Sequence, residues 1–528
     1  MNQNRRIILG LVGIVLLSLS ATLPSAHQRG HYGDDFPVRY ASLDGVWSGC
    51  QQYWERVGYI RPVGYINLMM WHRFGWSHPT IVHSIVGALH AATCLLLFLL
   101  ALRVSCSATA ALISAAVFAC WHSSTMVTSW ITSGAMILPS AACLIIAFLY
   151  WHRHLTAIGE RKPLIGAVLF YACCLGFYDQ SIMMPMAFTG TAILWCQRGH
   201  RWVAVVRSLG FWAISGIVGV ISVFSSSESD RPLTIAWDHA FRNTISLAGQ
   251  FMDMTIVQPI QSARYGSPPL GWLTEMWTND RGVLCAATVV FCVGLILFMR
   301  AARDSFARPH TARLPDSRLR NTTLVGLLIG LAATATFALS PEATHFGRHT
   351  FIPAAGLCMA LGALLARLSL SFRPMVVSVS LVTILIPMSA FRVTSTYSWT
   401  LQSRTLNTIL ATLEAEFPDR HDECLIVIDG VRNLGRAFAD SWGMTYALKL
   451  AGRECIDVST YLRLQNGVVY ANAIWDQTMP ILAEKTRVFL WDQTTQQLRP
   501  SSLTEYKGRH PEQFPPIATA NHQYPTAQ

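Results

Sequence analysis

Residues 1–391 consist of long apolar runs broken by short polar connections, and the remainder turns to shorter, alternating segments. A bilayer crossing needs ~20 mainly apolar residues in a row. Eleven runs approach that length, at roughly 7–23, 80–102, 108–121, 136–151, 164–178, 181–196, 204–224, 283–299, 323–340, 351–366 and 374–391. Several are short, which leaves room for tilted or re-entrant pieces. The start, MNQNRR followed by an apolar run and PSAH, also has the form of a signal peptide cleaved after Ala26. Ahead of so many further runs, a retained first helix is the expectation.

Beyond residue 391 the pattern changes period. The apolar strand LIVIDG, the helix-like AFADSWGMTYALKLAG, the short strand CIDVST and the strand, turn and return of TRVFLWDQTTQQLRP predict a small α/β domain over 392–510. The Pro-rich end, HPEQFPPIATANHQYPTAQ, predicts disorder over 511–528. The expected fold class is thus a polytopic α-helical membrane protein, its transmembrane domain over 1–391 carrying large loops at 24–79 and 225–282. A small extracytoplasmic α/β C-terminal domain follows. Within the first loop, YINLMMWHRFGW is aromatic and amphipathic, which suits either a helix lying in the membrane interface or an ordinary loop helix.

Composition agrees: 52% hydrophobic and 13% charged residues, with a mean hydropathy of +0.36, exclude a soluble globule. Such a globule would have a charged share of about 25%. The net charge of +11 would suggest a nucleic-acid partner in a soluble protein. Here its placement makes one unnecessary. With the N-terminus inside, the basic residues around 5–6, 103, 153–162, 198–207, 300–320 and 367–373 all fall on one face, with only Glu160, Asp304 and Asp316 among them. This is the positive-inside pattern. An odd number of crossings then carries both large loops and the tail to the other face. The scarcity of Lys beside Arg suggests a GC-rich bacterial genome, and the expected setting is the bacterial inner membrane. Most of the 13 cysteines lie in or beside the apolar runs as small apolar fillers. Of those outside, Cys424 and Cys455 each open a strand-like run, and a bridge between them or two free thiols are equally open.

Four constellations carry chemistry, all on the outer face in this threading. GDDF with the downstream IRPVGY places Asp34, Asp35 and Arg61 in one loop, and FYDQSIMMP puts Asp179 in a very short turn between two runs. EATHFGRHTFIPAAG packs Glu342, His345, Arg348 and His349 just before a run. His83 and His90 share one face of the second apolar helix. Each has a plain reading as solvated loop charge or a hydrogen-bonded bundle residue. Glu342, His345 and His349 have a spacing with which a helix holds a divalent cation, but Phe351 and Pro353 follow at once, and no cofactor is assigned. Charge gathered at a membrane boundary is costly and marks function.

The order DDF, RP, the two histidines, WHSSTMVTSWITSG, YDQSIMMP and RHTFIPAAG resembles the GT-C superfamily of polyprenyl-phosphate-sugar-dependent glycosyltransferases. The branch it looks closest to contains the tetratricopeptide-repeat O-mannosyltransferases and their bacterial relatives, and the resemblance covers residues 1–390. It implies that the acidic residue of the first loop, Asp34 or Asp35, lies at the active site. The family's Lys-Glu falls on Tyr178 and Asp179, and its Arg-Tyr-x-x-x-Pro-x-x-Gly on Arg348, His349, Pro353 and Gly356. The chain departs from the family at Ser123, Met126 and Tyr178 and lacks the repeats. Sugar and acceptor therefore stay open.

Elementary chemistry points the same way. A phosphate leaving group needs cationic stabilisation rather than a general acid, a role for Arg348 and Arg61. An acceptor hydroxyl needs one positioned carboxylate as base, with Asp35 preferred over Asp34 because Phe36 and Pro37 lie beside it. Direct attack inverts the anomeric centre. The expected partners are a polyprenyl-phosphate-linked sugar, a cell-envelope acceptor and the lipid bilayer. A polytopic polysaccharide polymerase or ligase is the alternative enzyme. A transporter would show Gly/Pro-broken helices in pseudo-symmetric halves, which the chain does not display.

Overall fold

The computed structural model describes residues 3–57, 61–121, 124–157, 160–196, 198–226, 243, 272–306, 316–338, 348–371, 374–417, 424–430, 441–453, 456–459, 462–465, 468–474, 477–480, 485–492, 495 and 497–511. They fall into two compact units, one of residues 1–30 and 41–400, the other of 31–40 and 401–528.

The first unit is helical. Its helices are α1 (Gln3–Leu19), α2 (Asp35–Ser42, shared with the second unit), α3 (Val46–Val57), α4 (Pro62–Gly75), α5 (Pro79–Ser105), α6 (Ala108–Cys120), α7 (Ser124–Ser129), α8 (Ile131–Thr156) and α9 (Arg161–Phe177). They continue with α10 (Pro185–Trp195), α11 (Arg201–Ser226), α12 (Trp272–Asn279), α13 (Arg281–Phe306), α14 (Asp316–Ala338), α15 (Phe351–Ser371) and α16 (Pro374–Glu416). Each of the eleven apolar runs contains a helix. Six of these helices, α5, α8, α11, α13, α15 and α16, are long and apolar enough to cross a membrane, so the chain is a polytopic helical membrane protein. Two of the expected crossings are short helices. At 181–196 the structure has a 3-10 turn, Asp179–Ser181, and then only the 11 residues of α10. At about 1.5 Å per residue those 11 residues fall well short of the ~30 Å hydrocarbon core. The 13 residues of α6 are buried from Thr109 to Cys120, enclosed by protein rather than lipid. The last run, expected to end at 391, continues unbroken to Glu416 because its polar residues, Thr394 to Thr400, are themselves buried.

Small residues set the helix crossings. A Cβ on Gly326 of α14 would lie 2.5 Å from the Gly356 carbonyl oxygen of α15, and one on Gly13 of α1 would lie 2.8 Å from that of Gly294 in α13. Between spans the hydrophobic effect is weak, and such close backbone approach supplies the packing. Aromatic rings fill the space among α8, α9, α10 and α11, where Phe188 stacks on Phe148 at 4.2 Å and on Phe211 at 4.0 Å. Exposed Val63, Ile66, Met70 and Phe74 recur along one side of α4 while Tyr65, Leu68 and Met69 are buried on the other. Both of these faces are apolar.

The second unit mixes strands and helices. A four-stranded sheet in the order β2 (Ile456–Ser459), β1 (Cys424–Asp429), β6 (Thr486–Asp492), β7 (Gln497–Ser501) has β1 parallel to β2 and β6, with β6 and β7 an antiparallel hairpin. β3 (Leu462–Gln465), β4 (Val468–Ile474) and β5 (Gln477–Pro480) make a separate antiparallel meander. Helix α17 (Ser441–Leu450) connects β1 to β2, and α18 (Leu503–Arg509) closes the unit. LIVIDG, CIDVST and the TRVFLWD hairpin are thus strands as expected. The meander was not anticipated, β3 and β5 being only four residues each. Tyr40 packs on Tyr446 of α17 with ring centroids 5.2 Å apart, which groups residues 31–40 with this unit. The two units divide at 400/401, within α16. Cys455, the 512–528 tail and most of the 225–282 loop lie outside the described residues, so the Cys424–Cys455 pairing does too.

Candidate functional site

Three of the four constellations meet in the first unit. Pro62 opens α4 and disfavours the helical region for the residue before it, so Arg61 stays outside the helix (φ −133°, ψ 59°) ahead of the first turn. Two residues on, Gly64 lets α4 press against the end of α9. A Cβ there would stand 2.3 Å from the carbonyl oxygen of Phe177. The chain leaves α9 through the extended Tyr178 (φ −157°) and enters the 3-10 turn that begins at Asp179. Arg61 therefore arrives beside Asp179, and its Nε and Nη2 donate to Oδ1 at 3.1 and 2.8 Å. Its guanidinium lies over the Tyr178 ring, 4.2 Å from the centroid. The side chains of Arg61 and Asp179 are only 13% and 21% exposed, so removing either partner would leave a largely buried charge uncompensated.

The turn is tied to α14 and to the 3-10 segment Arg348–Thr350. Thr336 Oγ1 donates to the Gln180 carbonyl at 2.8 Å, and Gln180 Nε2 donates to the His349 carbonyl. The His349 ring stacks on Tyr178, with 6.3 Å between centroids, and its Nδ1 faces the phenol oxygen at 3.4 Å. Arg61, Tyr178 and His349 thus form a layered array of cation, phenol and imidazole, with Asp179 at the edge of the guanidinium. A planar cation fixed at edge and face is preorganised for an oxyanion. The backbone of Arg348 adjoins this array through His349.

The remaining expected residues are placed elsewhere. Asp34 and Asp35 belong to the second unit. In place of the expected loop, Asp34 ends a turn and Asp35 starts α2, with Pro37 tolerated in the first helical turn. Asp35 is fully buried and its Oδ2 accepts the Tyr32 amide at 2.9 Å, whereas Asp34 is half-buried. His83 and His90 are bundle residues: Nε2 of His83 meets the Gly30 carbonyl oxygen at 3.0 Å, and Nδ1 of His90 meets Ser18 Oγ at 2.6 Å. Glu342 and His345 lie outside the described residues. Among the described residues no three His, Cys, Asp or Glu side chains gather closely enough to hold a metal.

Sequence reading missed Gln180, whose amide joins the site, and two polar centres of the same unit. Asp280, in WTNDRGV, accepts from Gln28 Nε2 at 3.0 Å and from the Tyr397 hydroxyl at 2.6 Å. Arg392, at the expected end of the last run, is buried within α16. An acidic residue just before an apolar run and an arginine inside one were the available signals.

No protein-family profile matches the chain, and no curated protein matches it. Among solved structures it is similar to the oligosaccharyltransferase AglB of Archaeoglobus fulgidus in complex with an inhibitory peptide and a dolichol-phosphate, at 12% identity and a TM-score of 0.38. It is also similar to the Archaeoglobus fulgidus oligosaccharyltransferase in the apo form (12%, 0.42) and in complex with Zn and sulfate (13%, 0.41). The alignments cover 85% of this chain and 62–64% of those chains, so it spans less than two thirds of their length. At that level of likeness, function rests on the residues of this chain.

Proposed function

We propose that the protein is a membrane glycosyltransferase that moves a sugar from a polyprenyl-phosphate donor to a cell-envelope acceptor on the extracytoplasmic face, with inversion. The observation that carries this reading is the convergence of Arg61, Asp179 and His349, from three separate connections, at one end of a bundle with membrane-crossing helices. Arg61, held by Asp179 and Tyr178, meets the donor phosphate, and Arg348 next to His349 adds a second cation. A guanidinium fork neutralises the charge that grows on the leaving phosphate as the anomeric bond breaks. The base is Asp34 or Asp35, and the half-buried Asp34 takes preference because Asp35 is fully enclosed.

The test is transfer of label from radiolabelled polyprenyl-phosphate sugars in membranes that carry the full chain. Wild type transfers label from one donor, Arg61→Lys loses at least about tenfold because the point charge cannot reproduce the fork, and Asp34→Asn abolishes transfer. Wild-type rates in Arg61→Lys, Arg348→Ala and both aspartate variants, at normal expression, would remove the reading.

A further inference from the structure

We infer that the ends of α5, α8 and α14, at the membrane boundary opposite the Arg61 array, hold the phosphate of an anionic phospholipid between Arg103 and Arg318, a site independent of the transferase reading. Four helix ends meet there. Leu100 of α5 and Phe148 of α8 line one apolar space, and one turn further along each helix come Arg103 and His152. Cys106 caps α5 three residues after Arg103, and Arg318 Nη1 donates to its sulfur, so the first turn of α14 joins the group. The Trp195 ring at the end of α10 meets His152 edge-on, with 4.9 Å between centroids and 76° between planes. Asn321, one turn beyond Arg318, donates to the Leu194 carbonyl at 3.3 Å and ties α14 to α10. Arg103 and Arg318 both come close enough to His152 for their charge to act on its ring.

Depth and charge both point to a lipid headgroup. Thr336 of α14 bonds to the turn that carries Asp179, and the helix between Arg318 and Thr336 spans about 27 Å at 1.5 Å per residue, nearly the ~30 Å of the hydrocarbon core. With the array at one boundary, the arginine pair lies at the other. Among the described residues neither guanidinium has a carboxylate partner. Asp316 is taken by Arg367, whose Nε and Nη2 donate at 2.7 and 2.8 Å, and Glu160 faces Arg153 at 3.5 Å. Nor does the end of α5 hold the pair, since its Ala101 and Leu102 carbonyls accept from the Ser105 hydroxyl and the Cys106 amide. Both arginines are exposed, so a ligand reaches them without opening the bundle. Two guanidiniums brought together by separate helices repel each other unless an anion lies between them, and a phosphate offers oxygens to both forks. Leu99, one turn into the membrane from Arg103 on the same face of α5, is exposed and gives an acyl chain its path. Basic clusters between helix ends recognise such headgroups.

The experiment mixes the detergent-purified full chain with equal amounts of phosphatidylglycerol and phosphatidylcholine and measures the lipid retained by native mass spectrometry. Wild type should retain phosphatidylglycerol in preference. Arg103→Gln and Arg318→Gln should each cut that preference about fivefold, the worth of one basic residue at a membrane surface. Arg320→Gln removes an exposed charge from the same turn of α14 on a different face, and should leave the preference at the wild-type value. Equal retention of the two lipids by wild type, or an unchanged preference in both the Arg103 and Arg318 variants, would overturn the site. A loss in Arg320→Gln as large as that in Arg318→Gln would also overturn it, reducing the effect to the general charge of that face. Displacement of the lipid by inorganic phosphate would overturn the lipid assignment in favour of a soluble anion. The measurement uses neither donor nor acceptor, so its failure leaves the transferase reading where it stands.

Discussion

Among the described residues, two arginines are buried in the helical unit, and each sets terminal guanidinium nitrogens on backbone carbonyls. Arg392 Nη1 donates to the carbonyl of Ala119 in the last turn of α6, and its Nη2 reaches His90 Nδ1 at 3.3 Å. Arg29 spans the carbonyls of Thr22, just past α1, and Thr128, in the last turn of α7. The ends of helices carry unpaired carbonyls and partial negative charge, so a guanidinium there is solvated by backbone in place of a carboxylate. Replacing Arg392 with Met keeps the volume and leaves the Ala119 carbonyl unpaired in the interior. The expected loss is about 1–3 kcal/mol, read by denaturant unfolding of the detergent-purified protein. Arg392→Lys should recover only part of that, because one ammonium cannot reach both α6 and His90. An unchanged midpoint in Arg392→Met would dismiss the capping role.

At the scale of elements, the position of α4 against α9 rests on one missing methyl group. Gly64→Ala drives a Cβ into the Phe177 carbonyl. It should push α4 outward, part Arg61 from Asp179, and lower donor use about as far as Arg61→Lys does, with a smaller change in overall stability. Equal donor use in Gly64→Ala and wild type would show that the contact has slack. In the second unit, Arg509 of α18 reaches Asp429 at the end of β1 at 2.8 Å, and Ser501 donates to Glu505 at 2.8 Å. The Ser501 hydrogen bond, with the charge of Arg509, holds the Glu505 carboxyl below its usual range. A lowered folded value means that this carboxylate stabilises the unit above the unfolded value of about 4.3. The contribution fades as pH falls through the folded value. Glu505→Gln should therefore remove part of the acid-side slope of stability and change nothing in that slope at neutral pH. A pH series of unfolding midpoints reads this directly.

How far each element could be read beforehand follows from where its signal lies. The apolar runs and the β6–β7 hairpin declare themselves by period, and Arg61, Asp179 and His349 by charge at a boundary. The inner half of α16 does not: VTSTYSWT looks like a chain leaving the membrane, because its polar groups are buried against partners that only the fold supplies. Asp280 looks like a cap for the same reason. The joining of Arg61 to Asp179 depends on Gly64, and no local pattern announces that contact.

At the scale of the whole molecule, α8 and α15 are 78% and 72% buried over their apolar windows, while α11 and α13 are 22% buried. The first pair therefore forms the centre of the bundle and the second pair its lipid-facing rim. Charge substitutions such as Ile217→Arg or Ile296→Arg, at exposed apolar positions of the rim, should cost about 2.5–3.5 kcal/mol of insertion near a helix centre. They should do so without touching catalysis in the protein that survives. The threading of the basic connections also predicts an extracytoplasmic tail. A reporter that is active only in the cytoplasm, fused after residue 511, should stay silent. A signal from it would change the parity of the crossings and move the Arg61 array to the other face.

The arginine inside α16 also bears on the order of assembly. A lone Arg near the middle of an emerging span costs about 2.5–3.5 kcal/mol at the translocon, and its backbone partner, the end of α6, was synthesised more than 250 residues earlier. The last span is thus a poor membrane segment by itself and a good one once α5 and α6 are waiting for it. Expressed alone, residues 374–416 should insert inefficiently, and Arg392→Leu should rescue them. In the full chain the same change should speed insertion yet yield a less stable protein. Biogenesis would then end with a span that locks in only when the rest of the bundle is correctly built.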